Sequence, residues 1–170
     1  MSRVPRLMLA VAALALVLAS PVAAQTTANA SIQALAFVQG VAPLTALGVN
    51  DLDFGVVIAG TPTAPTNLAN QAGRFDVTGE PAAPVTVSLT LPLTLVGAGG
   101  SIPISFSATD GLLWAPFPTT NTNFNPNVPL VTALDGSGNL TVGISGTVSP
   151  PAGTTTGNYT GTITLTVSYL

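Results

Sequence analysis

The sequence has no cysteine, no histidine and no lysine, and charged residues make up only 5% of it. Each absence removes a class of chemistry. Without cysteine there is no disulfide framework, no thiol nucleophile and no thiolate ligand for zinc or copper. Without histidine or lysine, a serine or threonine lacks the base that ordinarily takes its proton. The cations are Arg3, Arg6 and Arg74, set against six carboxylates. Nucleic-acid affinity rests on many Lys or Arg contacts to phosphate, and a hold on anionic lipid needs the same charges, so neither partner fits. No phosphate-binding glycine loop stands between a strand and a helix, and no cofactor or metal is expected.

What is present divides at residue 24. Arg3 and Arg6 make a basic start, an apolar run follows over 7–18, and Val22-Ala23-Ala24 offers small residues for cleavage before Gln25. This reads as a secretory signal over 1–24, since a membrane span needs about 20 apolar residues. Residues 25–170 suit one domain, large enough for a core without staples. The expected location is therefore the periplasm, the cell surface or the extracellular space, with no membrane span once the signal is removed. Arg74 is then the only strong cation, and a surface of Thr, Ser, Asn and Gly has little charge to keep copies apart.

The clearest element is the C-terminal stretch. Ile163, Leu165, Val167 and Tyr169 alternate with Thr164, Thr166 and Ser168, the period of a strand with one buried and one wet face. Val85, Val87, Leu89 and Leu91 alternate in the same way, as do Phe75 and Val77. Further strands are expected over 32–37, with a bend, over 44–49 and over 51–60. Ile102, Ile104 and Phe106 form another set that Pro103 demotes toward an edge or a bulge. Residues 60–73 and 114–129 read as loops, and 131–134 with 140–148 as a hairpin around Asp135-Gly136-Ser137-Gly138-Asn139. Many short strands with Gly and Pro turns predict an all-β chain, an antiparallel β-sandwich of immunoglobulin-like type.

Candidate sites are few. Asp51 with Asp53, and Asp76 with Glu80, are the carboxylates close enough in sequence to suggest a glycosidase pair; their plainer role is at strand ends and on wet faces. Asp135-x-Ser137-x-Asn139 opens like a calcium loop, but Leu140 stands where the sharp turn needs Gly and no Glu closes the loop, so a tight turn is expected instead. Trp114 and Phe117 form either an aromatic contact surface on the 111–129 loop or a cap on the core. Gly55 and Gly161 suit close backbone approach, and Tyr159 a corner anchored through its hydroxyl.

Three stretches carry a family resemblance. Leu52-Asp53-Phe54-Gly55, Arg74-Phe75-Asp76-Val77-Thr78-Gly79-Glu80-Pro81 and the ending from Pro151-Ala152-Gly153 through Gly157-Asn158-Tyr159-Thr160-Gly161 to Tyr169 resemble the bacterial domain-of-unknown-function family 4402. That family has no assigned catalytic residues. It is similar in turn to spore coat protein U and the archaic chaperone-usher pilin subunits, in which an incomplete sandwich takes the N-terminal strand of the next subunit. The resemblance implies a non-enzymatic surface or structural protein, pilus-like or coat-like, whose partners are copies of itself, related subunits and a periplasmic chaperone. Strand exchange would then involve Ala30, Ile32, Leu35 and Phe37 on one side and Ile163, Leu165, Val167 and Tyr169 on the other. The alternative is a self-contained secreted binding module that contacts a glycan or a partner protein through the 111–129 loop.

Overall fold

The computed structural model describes residues 30–36, 41–114 and 121–170. The chain divides into two units, Met1–Val38 and Gln39–Leu170. In the first, residues 30–36 form no regular secondary structure, so the strand expected there is not found; Ile32 and Leu35 are 96% and 88% exposed. Phe37 and the expected signal over 1–24 lie outside the described residues.

Among the described residues of the second unit, the regular structure is β-strand apart from one short helix. In chain order it holds β1 (Thr45–Asn50), α1 (Leu68–Gln71), β2 (Gly73–Thr78), β3 (Pro84–Thr90), β4 (Thr94–Gly97), β5 (Gly100–Ser105), β6 (Gly111–Trp114), β7 (Asn121–Phe124), β8 (Leu130–Ala133), β9 (Asn139–Ile144), β10 (Thr147–Val148), β11 (Tyr159–Thr160) and β12 (Thr164–Tyr169). The strands form sheets ordered β1-β2-β9-β6-β7, β10-β5-β4-β11 and β12-β3-β8, with antiparallel pairing throughout. Together they make the antiparallel sandwich that the alternating strands predict.

The two smaller sheets are one interrupted layer. β12 pairs β3 as far as Thr164↔Thr90, and β11 pairs β4 from Thr160↔Val96. Between these pairs, residues 91–95 face the shorter stretch 161–163, so one strand carries the surplus of a bulge. Pro92 cannot donate to a ladder there. Gly161 is needed opposite it, because a Cβ would fall 2.8 Å from Leu95 Cδ2 and 3.3 Å from Pro92 Cγ.

The core lies where the five-stranded sheet covers the three-stranded one. Val77 of β2 and Val142 of β9 meet Val85 and Val87 of β3, with Leu134 closing the end. The register explains the selection: Val87 pairs with Val167 and Val85 with Tyr169, so the apolar sets of β3 and β12 share the inward face. Leu165, Val167 and Tyr169 are half-buried against this core, while Thr164, Thr166 and Ser168 are exposed. Each fully buried Val contributes ~1.5–3 kcal/mol.

One side chain ties the two sheets together at a corner. Tyr169 Oη donates to the Ala42 carbonyl at 2.7 Å and accepts the Glu80 N–H at 2.7 Å. The Glu80 carboxylate in turn accepts the Ala42 N–H at 2.9 Å, closing a triangle between the segment before β1, the β2–β3 turn and the last strand. Gly79 makes room for it: a Cβ at that position would collide with Tyr169 Oη and come within 2.9 Å of both Leu44 and Leu134.

Several local expectations are corrected. Residues 51–60 form no strand, because Asp53 turns the chain by accepting the Gly55 N–H at 2.8 Å, with Gly55 at φ 64°. The 60–73 loop contains α1 and a bridge from Thr63 to Val148. Pro103 lies on β5, an inner strand; its carbonyl accepts from Ser149, so its missing N–H falls on the flank where β10 has run out. The segment 114–129 is not a single loop, since β7 lies within it and Trp114 closes β6, 6% exposed. Strands β8 and β9 do not form a hairpin: they belong to different sheets, and the turn between them carries the chain from one layer to the other.

That turn is tight nonetheless. Asp135 Oδ1 accepts the N–H groups of Ser137 and Asn139, each at 2.8 Å, and the turn is pinned to Gly79 by a 2.8 Å bond from the Gly79 N–H to the Gly138 carbonyl. The bonds from Asn139 and Ser137 favour the charged carboxylate and hold Asp135 below its ordinary value.

Tyr169→Phe should lower stability by ~1–3 kcal/mol by leaving two backbone groups unpaired, and Gly79→Ala by ~1–3 kcal/mol through overpacking; urea unfolding midpoints read both. Asp135 should contribute stability in full above its ordinary value of 3.8 and lose it as pH falls through the depressed folded value. Asp135→Asn should therefore flatten the acid side of a plot of unfolding midpoint against pH, and an unchanged acid limb would contradict this.

Candidate functional site

Beyond the bulge the two layers no longer close on each other. Phe75 and Ile144 of the five-stranded sheet face Leu95, Ile102 and Ile104 of the four-stranded sheet across a cleft of about 1110 Å³, which reaches Val148 on β10. The volume exceeds the roughly 300–1,000 Å³ of ordinary small-molecule sites. The cleft is open to solvent; of its apolar lining, Ile102, Ile104, Ile144 and Val148 are buried, and Phe75, Leu95 and Ile163 are half-buried.

The rim is built from two segments. On one side, the end of β1 continues through 51–57. Asn50 fixes this side: its Nδ2 donates to the carbonyls of Ala72 at 2.8 Å and Asn70 at 3.0 Å, and the Asp53 N–H reaches the Gln71 carbonyl at 2.8 Å. Gln71 Oε1 in turn accepts the N–H groups of Thr66 and Asn67, at 3.0 and 2.9 Å, which stiffens the support beneath it. On the other side runs 154–161, where Tyr159 Oη donates to the Thr155 carbonyl at 2.8 Å. This is the tyrosine corner expected of Tyr159. Both β1 and β11 are edge strands of their sheets, so each border of the cleft ends in a strand with one unpaired flank.

The rim carries the carboxylates of Asp51 and Asp53. The other acidic groups are held in local structure. Asp76 accepts from Thr141 Oγ1 at 3.1 Å and lies 3.9 Å from Arg74 Nε, Glu80 holds Ala42, and Asp110 accepts the Ser107 N–H at 2.6 Å. Asp76 and Glu80, suggested as a pair by sequence, are thus each engaged separately. Among the described residues no cluster of three or more acidic, His or Cys side chains could hold a metal ion, and no helix is long and apolar enough to cross a membrane.

The residues singled out for strand exchange are distributed unevenly. Ala30, Ile32 and Leu35 are exposed in the first unit. Ile163 lines the cleft, whereas Leu165, Val167 and Tyr169 already pack on the core with their side chains. What β12 leaves available is its outer backbone, because it is the edge of the β12-β3-β8 sheet. Trp114 is not a loop contact: its indole covers Gly143, where a Cβ would collide with the ring, in a buried cluster with Leu112 and Ala72. Phe117 lies outside the described residues. The cleft itself was not legible as a site. Its one sequence signal is the pair of interruptions, Pro92 and Gly161, whose pairing only the register reveals.

No curated protein matches this sequence. Over residues 31–169, which include every strand of the sandwich, the sequence matches the family described as Domain of unknown function (DUF4402), and the chain belongs to that family.

Proposed function

We infer that this is a non-enzymatic, exported structural protein, a surface or pilus-like subunit that assembles with copies of itself by β-strand pairing. The observation that carries this reading is an open cleft bordered by edge strands β1 and β11, in a chain that also displays an uncovered apolar segment. Residues 30–36 of a second copy supply what the cleft lacks. They are uncharged, and Ile32 and Leu35 are exposed where they stand. Burying each of those side chains contributes ~1.5–3 kcal/mol, and an added strand brings main-chain hydrogen bonds to an edge that has none. The outer flank of β12 offers a second uncapped edge, with no Lys, Pro or bulge within it to discourage pairing.

The low charge supports the same reading, since it leaves little repulsion between copies, and a relation of the family to spore coat protein U and pilin subunits is part of this proposal. A periplasmic chaperone that shields the cleft before assembly fits an exported chain with this much apolar wall.

The test is the native mass of the full chain against concentration. Multimers are expected, and Ile32→Asp with Leu35→Asp should weaken them at least ~10-fold, or about 1.4 kcal/mol. A stable, cooperatively melting monomer at every concentration would overturn the reading.

A further inference from the structure

Residues 56–59 stand beside the cleft in a way that burial alone does not explain. Val56, Val57 and Ala59 line the cleft, yet Val56 is 96% and Ile58 68% exposed. The run is bracketed by two glycines in the left-handed region, Gly55 at φ 64° and Gly60 at φ 84°. Space is not the reason for either glycine. A Cβ on Gly55 would meet only Gln71 Nε2 at 3.9 Å, and one on Gly60 would meet Ala152 at 3.7 Å. Their backbone conformation is what requires them.

Outside these glycines the chain is fixed. Asp53 is bonded to Gln71, Gly60 donates to Pro150 at 2.8 Å, and Thr63 exchanges both backbone bonds with Val148 at 2.9 Å. Between them the N–H groups of Val56, Val57 and Ile58 donate to no described residue, and the only backbone bond is from Thr61 to the Ile58 carbonyl at 3.0 Å. An apolar run with fixed ends and glycine pivots therefore stands in water beside the cleft.

We propose that residues 56–59 are a strap that closes over the cleft, turning at Gly55 and Gly60 to seat Val56 and Ile58 on the walls formed by Leu95, Ile102 and Ile163. Closure removes two exposed apolar side chains and part of the cleft from water together, which is its driving force. In the unassembled chain the strap covers the cleft; an incoming strand displaces it. That second step rests on the reading of the cleft as the receiving site, while closure itself does not.

The chain has no cysteine, so engineered thiols report cleanly. Val56→Cys is made in the full chain carrying Ile32→Asp and Leu35→Asp, which keeps a second copy out of the cleft. A strap closed nine-tenths of the time slows alkylation by a water-soluble maleimide ~10-fold relative to the urea-unfolded chain. Adding Leu95→Cys or Ile163→Cys should give a disulfide with Cys at position 56 on mild oxidation, since the two backbones then come within bonding range. If those pairs fail to fold, the single variant still decides. Alkylation at the unfolded rate overturns the strap whatever else is seen. A synthetic peptide of residues 30–36 separates the two steps. Faster alkylation on adding it supports displacement by an incoming strand. Protection that the peptide does not move leaves the strap standing and counts against the cleft as the receiving site.

Discussion

The contact between Tyr169, Ala42 and Glu80 ties the five-stranded and three-stranded sheets together at the corner on which the rest depends. Tyr169 is the last residue of the last strand, Ala42 precedes the first, and Glu80 sits in the turn between β2 and β3. A phenol oxygen that donates once and accepts once satisfies two backbone groups that no ladder reaches, and a half-buried position strengthens both bonds. With that corner held, β12 can lie along β3 in the register that places Leu165 and Val167 on the core. Gly79 is part of the same arrangement, because any side chain there occupies the space of the hydroxyl.

The closed half stops at the bulge between 91–95 and 161–163. Up to that point the β3/β12 pair lies under the five-stranded sheet and fills the interior with Val and Leu. Past it, the same two strands continue as β4 and β11, and a cleft lies between them and the facing sheet. The cleft is open to solvent and carries half-buried apolar side chains such as Phe75, Leu95 and Ile163, which leaves room for a further element. The strap at 56–59 and the exposed segment at 30–36 are two ways of meeting it, one within the chain and one between chains.

Scarcity of charge shapes the rest. With few ionic groups, the acidic side chains work mainly as hydrogen-bond acceptors for turns: Asp53 for Gly55, Asp110 for Ser107, Asp135 for Ser137 and Asn139, Glu80 for Ala42. Charged acceptors make stronger bonds to N–H than neutral ones, so a small number of them suffices to set the corners. Edge strands, which proteins commonly blunt with lysine, are left bare here at β1, β11 and β12.

The sequence by itself determined the strands whose apolar residues recur at every second position, namely β2, β3 and β12, because a period of two leaves one face to bury whatever the partner. It also determined the corner at Tyr159 and the tight turn at Asp135, since both depend on groups within four residues of each other. Only the tertiary structure decided where those strands went. The turn at 135–139 looks the same whether its flanks pair with each other or part into separate sheets, and here they part. Residues 51–60 have the composition of a strand but find no partner, and Trp114 is buried because Gly143, far away in sequence, leaves room for its ring. The cleft belongs to the same class: its lining comes from strands and loops far apart in sequence, a meeting that no local pattern encodes.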